Sequence, residues 1–249
     1  MRIVRRTDEA PGVHTIEINS RGDGRSGQFF MVSVPCVGEA PISVASGFGR
    51  NMLFTIRNVG SVTSHMNKID TVGVRGPYGT KWPWKEYEEI LAVTGGIGIP
   101  PVRSLIEEIN DSGKGRKLEV LYGAKTPEDI IYKTEIERWM KKVNVHLTVD
   151  SGDENWTGRV GLVTSIMKDA EVSKSAGVFI VGPPLMMKNV VKEALNLGYR
   201  EENIFLSLER RMECGIGVCG HCNVGEFYSC EDGPIFNYHK VKHQKELFL

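Results

Sequence analysis

The sequence has no excess of charge of either sign and no long apolar run. Its 31 lysine and arginine residues are balanced by 31 aspartate and glutamate residues, and the basic residues form no block. A nucleic-acid partner therefore has no electrostatic support. No stretch approaches the ~18 apolar residues of a membrane-spanning helix, and the opening "MRIVRRTDEAPG" lacks the apolar core of a signal peptide. We therefore expect a cytoplasmic protein without a membrane span.

Cysteine is scarce and unevenly placed. Only five of the 249 residues are cysteine, and four of these lie within "RMECGIGVCGHCNVGEFYSC", residues 211–230. In a reducing cytoplasm, clustered cysteines bind metal more often than they form disulfides. The spacing is Cys214-x4-Cys219-x2-Cys222-x7-Cys230, and four thiolates can hold one tetrahedral metal ion or one cluster.

This spacing favours a 2Fe–2S cluster over zinc. The C-x4-C-x2-C opening matches the plant-type 2Fe–2S pattern, although the fourth cysteine follows after seven residues instead of a long gap. Zinc ribbons usually carry two CxxC knuckles, whereas only Cys219 and Cys222 form one here. Zinc, a disulfide and free thiols stay open as alternatives.

Glycines separate the clustered cysteines, and the fifth cysteine lies far from them. Gly215, Gly217 and Gly220 have no side chains, so the segment can wrap a bulky cluster and direct backbone N–H groups at the sulfurs. Cys36 stands alone, and we expect it to be a small buried apolar residue.

The rest of the chain changes its pattern near residue 89. Residues 1–88 contain short alternating or β-branched stretches, such as "HTIEINS" and "NMLFTIRNV", which predict an antiparallel β barrel. Across 89–206, strands such as "EILAVTGG" and "GVFIVGPP" alternate with predicted helices, "LVTSIMKDA" among them. This alternation predicts an α/β domain, a doubly wound parallel sheet whose ligand lies at the carboxyl ends of the strands. Residues 207–249 carry the clustered cysteines and too little apolar sequence to fold without a metal group.

A glycine-rich turn follows the first strand of the predicted parallel sheet. In "VTGGIGIPP", Gly95, Gly96 and Gly98 allow a tight turn and close backbone approach, and the following helix offers its N-terminus to a pyrophosphate. Pro101 takes the place of the third glycine in the usual G-x-G-x-x-G pattern, so a plain strand–helix turn is the alternative. "VGPPLMM", 181–187, repeats the arrangement after another strand and favours the dinucleotide site.

Two stretches of the predicted barrel carry polar groups suited to a ligand. Ser43 in "APISVAS" follows a turn fixed by proline, and its hydroxyl can reach a ring nitrogen. In "TIRNVGSVTSHM", the entry to a short helix is formed by Gly60, Val62, Thr63 and Ser64, and its N–H groups can hold a phosphate. The alternative is a hairpin followed by a capped helix with no ligand.

Taken in order, these motifs resemble the ferredoxin–NADP reductase superfamily over nearly the whole chain. The set runs "PIS", R-x-V-G-x-V-T, "RGPYG", "GGIGIPP", "LYGAKTPEDIIY", "VGPP" and the four cysteines. The most similar branch is the electron-transfer subunits of multi-subunit enzymes. These include the gamma subunits of cytoplasmic nickel–iron (sulf)hydrogenases, the subunit paired with dihydroorotate dehydrogenase B, the corresponding subunit of anaerobic sulfite reductase and the small transhydrogenase subunit.

The resemblance implies an FAD-binding barrel over 1–88, an NAD(P)-binding domain over 89–206 and a 2Fe–2S segment over 207–249. It assigns to flavin binding the residues Ala40, Pro41, Ile42, Ser43, Thr55, Ile56, Arg57, Gly60, Val62 and Thr63. It assigns to the dinucleotide the residues Thr94, Gly95, Gly96, Gly98, Ile99, Pro100, Tyr122, Gly123, Asp150, Gly182 and Pro183. In the implied reaction Ser43 hydrogen-bonds the flavin ring, Gly182 and Pro183 border the nicotinamide, and the four clustered cysteines bind the metal.

Two positions depart from the superfamily pattern. Ala40 stands where an arginine usually opens the flavin motif, so we expect Arg57 to supply the charge that faces the FAD phosphates. Val181 and Gly182 replace the usual cysteine before the second Gly-Pro, so no thiol can be assigned near the nicotinamide.

A nicotinamide moves two electrons as hydride and a 2Fe–2S cluster takes one, so a flavin between them converts one kind of step into the other. The resemblance therefore implies an oxidoreductase subunit that exchanges electrons with a partner redox subunit, most like a hydrogenase gamma subunit. The electron transfer subunit of dihydroorotate dehydrogenase B is the second choice, followed by the sulfite reductase and transhydrogenase subunits. A zinc-binding interaction module without catalytic activity is the alternative from another class.

Asp150 bears on the choice of nicotinamide cofactor. It follows the strand "NVHLTVD", close to where an adenosine ribose lies in such sheets. A carboxylate there accepts hydrogen bonds from the ribose hydroxyls of NADH and repels the 2′-phosphate of NADPH. We therefore expect a preference for NADH; the alternative is that Asp150 only caps the turn.

Overall fold

The computed structural model describes residues 1–245 and 247–248 and divides into two compact units. The first contains Met1–Lys81, Pro100–Gly113 and Leu208–Ile235. The second contains Trp82–Ile99, Lys114–Ser207 and the residues from Phe236 onward. The predicted three-part division stays a prediction. No helix in the described part of the chain is long and apolar enough to cross a membrane.

The described chain contains both strands and short helices. In chain order they are β1 (Ile3–Ala10), β2 (Val13–Arg21), β3 (Phe29–Val34), β4 (Gly38–Ser43), β5 (Asn51–Arg57), α1 (Ser61–Met66), β6 (Gly73–Tyr78), β7 (Glu89–Gly95), α2 (Ile99–Asp111), β8 (Lys117–Ala124), α3 (Lys133–Trp139), β9 (Asn144–Val149), β10 (Arg159–Val160), β11 (Gly177–Val181), α4 (Pro184–Asn196), β12 (Ile204–Ser207), β13 (Asn223–Val224), β14 (Phe227–Tyr228), β15 (Ile235–Asn237) and α5 (Tyr238–Val241).

The N-terminal strands form two antiparallel sheets of three strands, in the orders β1-β2-β5 and β4-β3-β6. The antiparallel prediction is confirmed, but the strand pairing of the described residues does not close into a barrel. Ile16 and Ile18 of β2 pair with Phe54 and Met52 of β5. Both isoleucines are fully buried, because alternate side chains of a strand share one face and this face is turned toward the core. These residues belong to the core of this part of the first unit.

The second unit is built on a seven-stranded sheet in the order β10-β9-β8-β7-β11-β12-β15. Strands β7 to β12 pair in parallel, as predicted. The strand order reverses between β7 and β11, since the chain runs from β7 outward through β8 and β9 and then returns to β11. In a sheet of this kind, the crevice at such a reversal is where ligands bind.

One predicted helix has a different form. Residues Val163–Asp169 form a 3-10 helix instead of an α-helix. The segment "VTSIMKD" contains valine, threonine, serine and isoleucine, whose propensity for the α-helix is low. It packs Val163, Ile166 and Met167 inward, so its apolar side chains are buried as an amphipathic pattern predicts.

Candidate functional site

The glycine turn lies at the reversal point of the parallel sheet. β7 ends at Gly95 beside the end of β11, because Thr94 pairs with Val181. A Cβ on Gly98 would lie 2.6 Å from the Val181 carbonyl oxygen and 3.0 Å from Thr94 Oγ1. Glycine is therefore required for the turn to approach β11 this closely. α2 begins at Ile99, directly after the turn, with Pro100 in its first turn.

Thr94 and Met186 place side chains at this edge. Thr94 Oγ1 is buried, and within the described residues it has no hydrogen-bond partner. Met186 of α4 lies across both strand ends, because a Cβ on Gly182 would be 2.8 Å from Met186 Cε and one on Gly95 would meet Met186 Sδ. A buried hydroxyl without a partner, beside backbone that only glycine allows, fits a polar ligand such as the carboxamide and phosphates of a dinucleotide.

The remaining residues predicted to hold the dinucleotide lie on the same parallel sheet or directly after it. Tyr122 on β8 is fully buried, and a Cβ on Gly123 would lie 3.1 Å from Val163 Cβ, so neither faces open space. Asp150 is exposed just after β9, where its N–H donates to the Ala124 carbonyl oxygen at 2.9 Å. Pro183 is exposed and precedes α4.

The two flavin motifs of the first unit meet through a strand bridge. Val44 bridges Phe54 in antiparallel fashion, which brings the end of β4 beside β5. Ser43 ends β4 and pairs with Phe29 of β3. The exposed Arg57 ends β5. A hydroxyl and an exposed cation on these two neighbouring strands fit a flavin ring and a phosphate, respectively.

Several residues of these motifs pack in the core, hydrogen-bond or pair within the protein. Ile42 and Ile56 are core residues, and Thr55 Oγ1 hydrogen-bonds Thr15 Oγ1 at 2.8 Å. Thr63 Oγ1 accepts the N–H groups of Val59 and Gly60, at 3.1 and 3.0 Å. The Gly60 N–H that we expected to face a phosphate therefore already has a partner. Pro41 pairs with Met31 and Ala40 with Val32 on β3, and Val62 lies against Gly38.

The four clustered cysteines form two pairs. Cys222 and Cys230 are buried, with their Sγ atoms 3.3 Å apart, and pack against Phe29 of β3. Cys214 is half-buried and Cys219 is exposed, and the two thiols hydrogen-bond each other. All five cysteines of the chain lie within the described residues and are free thiols. In a 2Fe–2S cluster each iron takes two protein ligands, so two pairs of thiols fit such a cluster.

Backbone N–H groups point at these sulfurs, as the glycine spacing predicts. The N–H groups of Ile216, Val218 and Cys219 donate to Cys214 Sγ at 3.5, 3.4 and 3.4 Å. The Gly217 N–H donates to Cys230 Sγ at 3.0 Å. Gly215, Gly217 and Gly220 all have φ between +73° and +77°, which residues with side chains rarely adopt.

These surroundings shift the thiol pKa values in opposite directions. Backbone N–H groups, first that of His221, lower the pKa of Cys219 to about 7, which favours the thiolate that binds iron. Burial, with a further contribution from the Cys222 thiol, raises the pKa of Cys230 to about 12. Among the described residues, no three histidine, cysteine or carboxylate side chains are grouped for a single metal ion.

The structure corrects one expectation and adds contacts that the sequence did not indicate. Cys36 is exposed in the turn between β3 and β4, with φ at +61°, so the prediction of a buried residue is wrong. Arg75 donates to Glu39 at 2.6 and 2.9 Å and to the Tyr78 hydroxyl at 3.3 Å. The hydrogen bond from Arg75 holds the pKa of Glu39 below its usual value. Arg75 also lies near Gly215, so the "RGPYG" motif supports the cysteine segment.

Two family models match the segments that contain the glycine turn and the clustered cysteines. Residues 92–192 match the family described as the oxidoreductase NAD-binding domain. Residues 209–242 match the iron-sulfur cluster binding domain of dihydroorotate dehydrogenase B. Sulfhydrogenase 1 subunit gamma of Pyrococcus furiosus is 38% identical over 90% of this chain and 83% of its own length. A probable dihydroorotate dehydrogenase B (NAD(+)) electron transfer subunit of Methanocaldococcus jannaschii is 35% identical over 98% of this chain and 91% of its own.

Solved structures share the fold. A structure of NADH-dependent reduced ferredoxin-NADP oxidoreductase, described in work on flavin-based electron bifurcation, matches with a TM-score of 0.83 at 26% identity, over 99% of this chain and 90% of that one. A ferredoxin NADP+ reductase from Neisseria gonorrhoeae with bound FAD and NADP matches with a TM-score of 0.69 at 16% identity, over 82% and 96% of the two chains, and shows the fold alone.

The fold and the two sites define an oxidoreductase electron-transfer subunit with the ferredoxin–NADP reductase fold. Within that class, the chain belongs to the family that contains the sulfhydrogenase gamma subunits and the electron transfer subunits of dihydroorotate dehydrogenase B.

Proposed function

We propose that this chain passes electrons between NAD(H), FAD and a 2Fe–2S cluster and exchanges them with a partner catalytic subunit. The observation that carries the proposal is the arrangement of the four thiols, which form two pairs and receive backbone N–H bonds. The same chain has a glycine turn at the reversal point of a parallel sheet. A nucleotide site and a cluster site in one chain are what electron transfer from a nicotinamide to a one-electron acceptor requires.

The flavin, when bound, converts hydride transfer into single-electron steps. This chain's own residues bind and orient the reactants. The buried Thr94 hydroxyl hydrogen-bonds the dinucleotide, and Gly182 and Pro183 border it at the end of β11. Ser43 hydrogen-bonds the flavin ring, and Arg57 offsets the charge of the FAD phosphates.

The two thiol pairs have different surroundings, which gives the cluster an inner and an outer side. Cys222 and Cys230 face the apolar residues Phe29 and Met31 of β3, whereas Cys219 is exposed. We assign the exchange of electrons with the partner to the side held by Cys214 and Cys219. The N–H groups that donate to Cys214 Sγ stabilise negative charge there.

The first candidate for the partner is a hydrogenase, because two sulfhydrogenase gamma subunits are 38% and 36% identical to this chain. A dihydroorotate dehydrogenase is the second candidate, since several electron transfer subunits of that enzyme are 30% to 35% identical. We place the complex in the cytoplasm, where the cysteines stay reduced until they bind iron. Purification of the native complex, with identification of its co-purifying subunits, distinguishes these partners.

Cofactor analysis of the purified chain tests the proposal itself. We expect one FAD, about two iron atoms and about two acid-labile sulfides per chain, with absorption near 450 nm. The protein must be purified without oxygen and without added metal. Stoichiometric zinc with no iron, in a colourless protein, would favour an interaction module and contradict the proposal.

A further inference from the structure

The buried hydroxyl of Tyr122 joins two segments of the second unit. Tyr122 lies on β8 with no exposed surface. Its hydroxyl donates to the Gly96 carbonyl oxygen at 3.3 Å and accepts the Ile131 N–H at 3.2 Å. One oxygen atom therefore ties the glycine turn after β7 to the segment that follows β8.

The bond to Gly96 fixes the direction of a peptide plane. In a trans peptide the carbonyl of one residue and the N–H of the next point in opposite directions. Because the Gly96 carbonyl is held toward Tyr122, the Ile97 N–H points away from it. Gly96 has φ at +53°, and glycine is the residue with the greatest freedom to reorient. Within the turn its carbonyl accepts the Ile99 N–H, and the Tyr122 hydroxyl adds a bond from outside the turn.

The bond to Ile131 supplies the second tether. Thr126 and Asp129 hydrogen-bond each other through the Thr126 N–H and hydroxyl, at 3.2 and 2.9 Å, which makes the start of this segment rigid. Ile131 is itself fully buried. The Tyr122 hydroxyl thus connects the glycine turn to an ordered segment. This explains why "LYGAKTPEDIIY" contains both the tyrosine and its donor.

We propose that Tyr122 is a positioning residue for the dinucleotide: it holds the Gly96–Ile97 peptide so that the N–H groups of the glycine turn face the pyrophosphate. The inference rests on the proposed function, which assigns a dinucleotide to this edge of the sheet. Tyr122 does not itself contact the ligand, because its hydroxyl already bonds the Gly96 carbonyl and the Ile131 N–H. Its assignment as a direct cofactor contact is replaced by this indirect role.

The test is Tyr122→Phe in the full chain, which removes one oxygen atom and leaves the ring in place. We expect the Kd for NADH, measured by titration calorimetry, to rise about tenfold, or about 1.4 kcal/mol. In steady state KM for NADH should rise while kcat changes little, because the reacting groups are untouched. Tyr199→Phe is the matched control: Tyr199 is a buried tyrosine of the same unit whose hydroxyl, within the described residues, has no hydrogen-bond partner. Its Kd for NADH should match that of the wild type.

A second probe separates positioning from general loosening. Reduced nicotinamide mononucleotide lacks the pyrophosphate, so its KM should be the same in Tyr122→Phe and in the wild type. An equal rise in KM for NADH and for the mononucleotide would show that Tyr122 has a structural role only. An unchanged Kd for NADH would overturn the inference outright. If the wild-type chain itself does not bind NADH, the proposed function fails instead.

Discussion

Gly98 shows how one missing side chain shapes the dinucleotide edge. A Cβ at this position would approach the carbonyl oxygen of Val181, a backbone atom that cannot move without disturbing the end of β11. We therefore predict that Gly98→Ala weakens NADH binding at least about tenfold and lowers stability by roughly 1–3 kcal/mol, as overpacking does. Titration calorimetry and thermal unfolding measure the two effects.

Gly115→Ala is the control for this substitution. Gly115 lies in the same unit, and a Cβ there would have no atom within 4 Å. It should leave both the NADH affinity and the melting temperature near those of the wild type. Equal affinities in the Gly98→Ala and Gly115→Ala variants would show that the glycine turn does not hold the dinucleotide.

Asp150 carries the prediction about cofactor choice. Its carboxylate is exposed at the carboxyl edge of the sheet, and the neighbouring Ser151 N–H bonds the Lys125 carbonyl at 3.0 Å. Asp150→Ser should improve kcat/KM for NADPH relative to NADH by at least about tenfold, since the repulsion of the 2′-phosphate is lost. Steady-state kinetics with both cofactors measure this ratio. A wild-type protein that already prefers NADPH would show that Asp150 is not the discriminating residue.

His14 gives the first unit a pH dependence that is independent of any cofactor. The ring is buried, and within the described residues neither nitrogen has a hydrogen-bond partner. Burial, and then the charge of Arg6, lowers its pKa, so the folded state holds the ring neutral while the unfolded state protonates near pH 6.5. Its contribution to stability is therefore complete above that pH and is lost as the pH falls below it.

His14→Leu removes the buried ring nitrogens and should raise the melting temperature more at pH about 5.5 than at pH about 7.5. Circular dichroism melting curves at the two pH values measure the difference. The exposed Thr7 of the paired strand β1 provides the control, since Thr7→Leu removes no titrating group and should shift both melting temperatures alike. An equal rise in melting temperature at both pH values in His14→Leu would contradict the lowered pKa of His14.

At the scale of the element, the segment from Cys214 to Cys230 is a loop built around four sulfurs. Cys222 belongs to its buried pair, which packs against β3. We predict that Cys222→Ser abolishes electron transfer to the partner subunit, because the cluster loses a ligand. NADH-dependent reduction of a two-electron dye should stay largely intact, because the residues assigned to NADH and FAD lie outside this loop.

The two activities are measured side by side in the reconstituted complex. Cys36→Ser is the control, since Cys36 is exposed in a turn remote in sequence from the other thiols, and it should change neither activity. Full electron transfer to the partner by the Cys222→Ser variant would show that electrons do not leave the chain through the cluster. Loss of both activities would show that the loop is structural for the rest of the chain.

Comparison of sequence and structure shows which elements local patterns can predict. The strands β7 and β11 are predictable because an uninterrupted apolar run, such as "GVFIV", is typical of parallel strands covered on both faces. The glycine turn is predictable because its spacing reflects a backbone requirement at each position. The 3-10 form of Val163–Asp169 is not, since the same amphipathic pattern suits either helix.

Contacts between distant segments are what the sequence leaves out. Tyr122 reaches Gly96 and Ile131 through its hydroxyl, and Thr63 uses the Gly60 N–H that we expected to face a phosphate. The arrangement of the thiols as a buried pair and a partly exposed pair also depends on β3, which lies far from them in sequence. Spacing predicts which residues act, but the tertiary contacts determine what each one does.

At the scale of the whole molecule, the chain is a connector between a two-electron donor and a one-electron partner. Its sequence contains neither paired CxxC motifs for a nickel site nor a (β/α)8 substrate domain. In the proposed function, the terminal reaction belongs to the partner subunit and electron transfer to this chain.

The most direct test of this account follows the cluster by electron paramagnetic resonance while the NADH/NAD+ ratio is varied without oxygen. We predict that the signal of the reduced 2Fe–2S cluster rises toward about one spin per chain as the ratio increases and falls again when NAD+ is added, because the chain connects the two redox pairs. A cluster signal that dithionite produces but that no change in the NADH/NAD+ ratio alters would contradict the central claim.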